Sequence, residues 1–236
     1  MDTELLGLEK RVVMVTSAGR GFGRQIALAY GSAGATVIAV DPDVEAATAT
    51  ASEVEALGAS AIPIRGDLAV PLDVIETFKK IDELFGVLDG IVHVTSGNSQ
   101  TSFTELLEAE WHELLNADVR SSLFVLQHGL KYLTGGGFVV LVLPPYSRQE
   151  PHVAAVRGAV RGLVEGASAV FPEEVRVNGV VPSRDPAGEE HDAPLVQAVL
   201  GLGSRVSVGV HGEVLRVRLP ELQPSTELYD LLADLP

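Results

Sequence analysis

Residues 11–41, RVVMVTSAGRGFGRQIALAYGSAGATVIAVD, constrain this chain most, because they read as strand, glycine-rich turn, helix, strand and closing acid. Arg11 to Val15 is a short β-branched run, suited to a strand buried on both faces of a parallel sheet. Thr16-Ser17-Ala18-Gly19-Arg20-Gly21-Phe22-Gly23 follows at once, and Ile26, Ala27 and Tyr30 then recur at helical spacing. A glycine turn placed so lets backbone N–H groups approach a pyrophosphate at the positive end of the helix. Ala35 to Val40 is a second strand, closed by Asp41, whose carboxylate can accept from the hydroxyls of an adenosine ribose and repels a 2′-phosphate. The stretch points to dinucleotide binding. Arg20 offers a cation to a 2′-phosphate, but Asp41 opposes it at short range, so NAD(H) is preferred over NADP(H). Ser17 stands where a first glycine is expected; in a left-handed backbone a serine costs roughly 1 kcal/mol.

The alternation of strand and helix continues. Asp43 to Leu57 is helix-forming, Ala61 to Arg65 a third strand, and Pro71 opens a helix through Phe85. Gly90 to Val94 is a fourth strand that runs into Thr95 and Ser96. The stripe Trp111, Leu115, Val119, Leu123, Leu126 and Leu130 predicts one helix from about Ala109 to Leu133, stopped by Gly135-Gly136-Gly137. Phe138 to Leu143 is a fifth strand. The helix from about His152 to Val170 carries Ala154, Ala155, Gly158, Ala159, Gly162, Gly166, Ala167 and Ala169, which let a neighbouring backbone come close. Val175 to Val181 and Val214 to Leu219 complete the strands, and Thr226 to Ala233 reads as a last helix. The pattern implies one α/β domain over residues 1–236, a doubly wound, Rossmann-type parallel sheet of about seven strands.

Composition narrows the partners. The 236 residues carry a formal net charge of −15, which repels nucleic-acid phosphates, and there is no cysteine for disulfide or thiol chemistry. No apolar run reaches the roughly 20 residues of a membrane span, and MDTELLGLEK has no signal-peptide character, so the expectation is a cytoplasmic protein away from membranes. A mean hydropathy of +0.25 points to apolar surface hidden in a homo-oligomer, a dimer or tetramer, or in a mixed assembly with an active paralogue. His112, His128, His191 and His211 are dispersed, and Glu189-Glu190-His191-Asp192 reads as a solvated loop rather than a metal site.

From roughly residue 6 to 220 the chain resembles the short-chain dehydrogenase/reductase family. Thr16 to Gly23 is similar to its Thr-Gly-x-x-x-Gly-x-Gly turn, and Asp67-Leu68 to the acid that meets the adenine ring. Trp111 heads the helix after the fourth strand. Arg157-Gly158-Ala159-Val160-Arg161-Gly162-Leu163 resembles the family's Lys-Ala-Ala-Val-x-Gly-Leu helix, and Arg176-Val177-Asn178 through Pro182-Ser183 its Arg-Val-Asn-x-x-x-Pro-Gly strand. The resemblance implies an NAD(P)-binding oxidoreductase fold. Its cofactor contacts would fall on Thr16, Ser17, Arg20, Gly21, Phe22, Gly23, Asp41, Asp67, Leu68, Thr95, Ser96, Arg157 and Pro182. It also implies a dimer built on the helices after strands four and five.

The same registration exposes departures at the chemical positions. The family uses a tyrosine acid/base, a lysine four residues later, an orienting serine and an asparagine that supports a relay water. Those positions fall on Val153, Arg157, Leu143 or Pro144, and Asp118, and the family's Asn-Asn-Ala-Gly is His93-Val94-Thr95-Ser96. The segment from Pro182 to Leu195 is short for a substrate lid. Standard carbonyl reduction is therefore not expected, and cofactor binding itself is open to loss. Substitute chemistry could come from His93, or from Tyr146 in the loop that also holds Ser147, Arg148 and His152, acting with Arg157.

Overall fold

A computed structural model describes residues 6–96, 99, 101–146, 150–172, 174–183 and 192–218. Seven strands form one sheet: β1 (Val12–Thr16), β2 (Thr36–Asp41), β3 (Ala61–Arg65), β4 (Leu88–Val94), β5 (Leu133–Val142), β6 (Arg176–Pro182) and β7 (Val214–Val217). Their order is β3-β2-β1-β4-β5-β6-β7, and every neighbouring pair is parallel. The order reverses between β1 and β4, so a crevice opens beyond the carboxyl ends of those two strands.

Helices cover both faces. α1 (Gly21–Ser32), α2 (Val44–Ala56) and α7 (Ala193–Gly203) lie on one side, where Ile26, Tyr30, Val54, Leu195 and Val199 join one core. α3 (Pro71–Phe85), α5 (Ser121–Gly129) and α6 (Pro151–Ser168) cover the other through Phe78, Ile81, Val125, Val160 and Val164. The ends follow local chemistry. The Asp43 carboxylate caps α2 by accepting from Glu45 and Ala46 N–H, Pro71 occupies the first turn of α3, and Gly86 closes α3 at φ +71°. No helix among the described residues is long and apolar enough to cross a membrane.

Three expectations are corrected. The predicted helix from Ala109 to Leu133 is α4 (Glu108–Leu114), a π-helical segment Leu115–Arg120, and α5, which ends at Gly129. Of the predicted stripe Leu126 is buried, but Leu123 and Leu130 are exposed, and the buried face runs instead through Leu114, Asp118, Ser122, Val125 and Gly129. The glycine triplet does not stop a helix; it lies inside β5, where pairing shifts between Leu88 and Gly90. α7 went unread because Leu195 to Leu202 is apolar with too little polar periodicity to mark a face. The expected helix at Thr226 to Ala233 lies outside the described residues.

Along α6, Val153, Val156, Val160 and Val164 are buried, whereas Ala154, Ala155, Gly158, Ala159, Gly162 and Gly166 are exposed. The small residues therefore face away from the rest of this chain.

Gly90 lies against the Phe138 ring, which stacks on Tyr30 at 5.9 Å. An added Cβ would overlap that ring. Gly90→Ala should lower stability by about 1–3 kcal/mol in urea unfolding, the usual cost of overpacking.

Candidate functional site

The turn after β1 is shaped by backbone. Ser17 has φ +50° and Gly21 φ +53°. The Ser17 hydroxyl donates to the Val94 carbonyl at 3.0 Å, which offsets part of the left-handed strain. An added Cβ at Gly23 would strike the Ser17 carbonyl, so helix and turn need glycine for close approach. Arg20 is the N-cap of α1 and its side chain caps no N–H, which leaves the first turn's donors free to meet an anion. The Arg20 guanidinium instead reaches Asp43 at 3.2 Å on the surface.

Asp41 is 5% exposed and closes β2. Its Oδ2 accepts from Gly19 N–H at 2.9 Å and its Oδ1 from Asp43 N–H at 3.0 Å. The carboxylate therefore ties the glycine turn to the β2–α2 connection and keeps its remaining lone pairs for another donor. Asp67 stands across the cleft, where Oδ1 accepts from Ala69 N–H at 3.0 Å.

Between these elements is a cavity of about 130 Å³. Among the predicted residues, Thr16, Ser17, Asp67, Leu68, His93 and Ser96 line it. Gly66, Ala117 and Ser121 also line it and were not anticipated; Ser121 follows Asp118 by three residues, a helical spacing that could have signalled it. Phe22 is packed in the core below the turn. Thr95 points into the β4–β5 seam, donating to the Val142 carbonyl at 2.8 Å. Pro182 is buried, and its carbonyl accepts from Tyr146 N–H.

His93 organises the floor of this cavity. Thr16 Oγ1 accepts from Val94 N–H at 3.0 Å and lies 2.9 Å from His93 Nδ1. Ser121 Oγ donates to the Ala117 carbonyl and therefore accepts from His93 Nε2–H at 3.1 Å. Both ring nitrogens are occupied, and the tautomer is set with the proton on Nε2. Burial pushes the imidazole down to about 4. As a substitute base His93 is thus already engaged by protein groups, and the imidazole works as a neutral spacer.

Asp118 belongs to the π segment and is fully buried. Its Oδ1 accepts from both Ser96 N–H, at 2.8 Å, and Ser96 Oγ, at 3.0 Å. A carboxylate only accepts, so the aspartate at position 118 suits the two donors that Ser96 presents.

The other chemical positions lie in apolar or tethered surroundings. Val153 is fully buried on α6, and Leu143 and Pro144 are buried beyond the end of β5. Arg157 Nη1 donates to the Pro145 carbonyl at 2.8 Å, and partial burial pulls its pKa below the usual arginine value. Tyr146 is 43% exposed, with the Arg157 guanidinium 4.7 Å and the Arg216 guanidinium 3.8 Å from its ring centre. His152 Nε2 is 2.8 Å from Ser99 Oγ. Ser147, Arg148 and residues 184–191 of the expected short lid lie outside the described residues.

Residues 11–184 match the family described as short chain dehydrogenase. This chain belongs to that family. Tetrahydroxynaphthalene reductase PfmaG of Pestalotiopsis fici is 29% identical over 161 residues, spanning 64% of this chain and 58% of the reductase. The hydroxynaphthalene reductase-like protein Arp2 of Metarhizium anisopliae is 28% identical over 185 residues, 74% of this chain and 68% of its own. Among solved structures, a hydroxysteroid dehydrogenase from Escherichia coli superposes with a TM-score of 0.83 at 22% identity, covering 92% of this chain and 99% of its own, which speaks for the fold. A short chain dehydrogenase from Burkholderia cenocepacia in complex with NADP matches with a TM-score of 0.79 at 25% identity, covering 89% and 97%. In this member of the short-chain dehydrogenase family the cleft lies at the reversal of strand order, where open α/β sheets take their ligands.

The buried His93 gives a pH signature. Between its folded value of about 4 and its ordinary value of 6.5, the unfolded chain takes up a proton that the folded chain refuses. Stability from this group is complete above pH 6.5 and declines as pH falls towards 4, by on the order of 3 kcal/mol in all. His93→Asn should remove this limb, so the stability gap between the two proteins narrows from pH 7 to pH 4.5 in urea titrations.

Proposed function

We propose that this short-chain dehydrogenase is a nucleotide-responsive, NAD(H)-binding member of its family that lacks the standard hydride-transfer chemistry and works as a subunit of an oligomer. The observation that carries this reading is Val153, a fully buried aliphatic side chain at the position where the family places its acid/base tyrosine. Pro144 offers no hydroxyl, and Asp118 is committed to Ser96. The nucleotide half supports binding. The first-turn donors of α1 are uncapped, a Cβ at Gly21 would meet only open space, and the Asp41 carboxylate retains accepting capacity beside the turn. A bound dinucleotide would supply the redox centre. These residues would cradle its pyrophosphate and ribose, and Asp41 favours NAD(H).

NADH should gain fluorescence and raise the melting temperature on mixing with the protein, and Gly21→Val should abolish both effects. No thermal shift at millimolar NADH or NADPH would remove the nucleotide role. The same sample should turn over no alcohol, ketone, acyl thioester or hydroxylated naphthalene with either cofactor.

A second reading, an oxidoreductase with relocated chemistry, is favoured by one observation: the hydroxyl-bearing Tyr146 ring lies against the guanidinium groups of Arg157 and Arg216. Turnover on that panel that disappears in Tyr146→Phe would establish it.

The outward small residues of α6 support the oligomer, because they leave a smooth face that another helix can approach closely. Gly162 is exposed and an added Cβ there would meet open space, so Gly162→Leu places its side chain on the outer face of the helix. Sedimentation velocity should show an oligomer for the parent and a folded, smaller species for this variant.

A further inference from the structure

A second cavity, of about 370 Å³, opens at the opposite end of the sheet from the nucleotide cleft and is lined by Arg11, Phe138, Glu174, Arg176, Gly203 and Arg205 among others. Arg11 precedes β1, while Arg176 opens β6 and pairs with Phe138 of β5, so the cavity lies at the amino ends of the strands. Arg176 is only 8% exposed. Among the described residues its hydrogen bonds leave from Nη1, to the Leu202 and Ser207 carbonyls and to Ser207 Oγ, and its guanidinium lies 6.0 Å from the centre of the Phe138 ring. Every one of those acceptors is neutral. Arg11 is neutralised by Asp89 at 2.8 Å. Among the described residues no ion pair involves Arg176 or Arg205. Glu174 is exposed on the wall, where solvent screens it.

A buried cation without an anion is unfavourable, and a buried polar group prefers a charged partner when one fits. Desolvation pulls the Arg176 pKa down, Tyr30 opposes that shift and the Arg11 guanidinium adds to it; an arriving anion would raise it. Arg205 supplies a second, surface-side guanidinium, and its side chain crosses Gly7, where any Cβ would collide with it. Two planar forks on one cavity suit the oxygens of a dianion. The cavity has room for a group well larger than a single water, which occupies about 30 Å³.

We propose that this basal cavity is a binding site for the phosphate group of a small phosphorylated molecule, held between Arg176 and Arg205. The site is separate from the nucleotide cleft and stands or falls independently of the cofactor reading.

Calorimetric titration of the whole chain with inorganic phosphate, against sodium chloride of matched ionic strength, tests it. Saturable binding at millimolar concentration or tighter is expected, weakened at least tenfold by Arg205→Ala, an exposed position whose loss leaves the core intact, and unchanged by Arg20→Ala. Arg205→Lys should retain an intermediate affinity, because charge remains while the fork is lost. Phosphate binding no better than chloride overturns the proposal. So does phosphate binding that is undiminished in Arg205→Ala, which would put the phosphate elsewhere, the glycine turn included.

Discussion

The seam between β1 and β4 is closed by a chain of hydrogen bonds running through one neutral imidazole, and the cleft's floor depends on it. Val94 N–H, Thr16 Oγ1, His93, Ser121 Oγ and the Ala117 carbonyl follow one another with every donor matched to an acceptor. In a low-dielectric interior such a chain is favourable only when complete. A proton added to His93 would turn an acceptor into a donor facing Thr16 and would place a charge where water cannot solvate it. The position of the π segment beneath the cleft follows from the same chain, because Ser121 reaches His93 across the strand ends.

The departures from the family pattern meet one another in space. Ser17, in a glycine's place, donates to the carbonyl of Val94, which stands in an asparagine's place. Ser96, in another glycine's place, presents two donors to Asp118, in another asparagine's place. These pairings make part of the cleft wall from the protein's own groups. One neighbour is unmatched: Thr77 Oγ1, beside the cleft-lining Gly66, is buried with no hydrogen-bond partner among the described residues. Membership of the short-chain dehydrogenase family accounts for the fold and the location of the cleft.

The sheet was legible because its strands are short β-branched runs with glycine and proline between them; β3 and α3 fall where the residues predict. The glycine turn and Asp41 were legible because their roles are local. Three things were not. The inward face of the helix after β4 carries Asp118, Ser121 and Ser122, so an apolar count moved the stripe to the neighbouring face and turned Leu123 and Leu130 inward. The partners of His93 lie 77 and 28 residues away, beyond any spacing rule. Arg216 reaches Tyr146 only because β7 lies beside β6, an adjacency set by topology.

The segment Leu115–Arg120 also joins two tasks. The buried positions Leu114, Asp118, Ser122, Val125 and Gly129 recur every three or four residues, so one continuous face runs through α4, the π segment and α5. On that face the polar members serve the cleft and the apolar members serve the core: Asp118 accepts from Ser96, while Val125 and Leu126 pack inward. A change that loosens this helix on the sheet therefore moves a wall of the cleft as well.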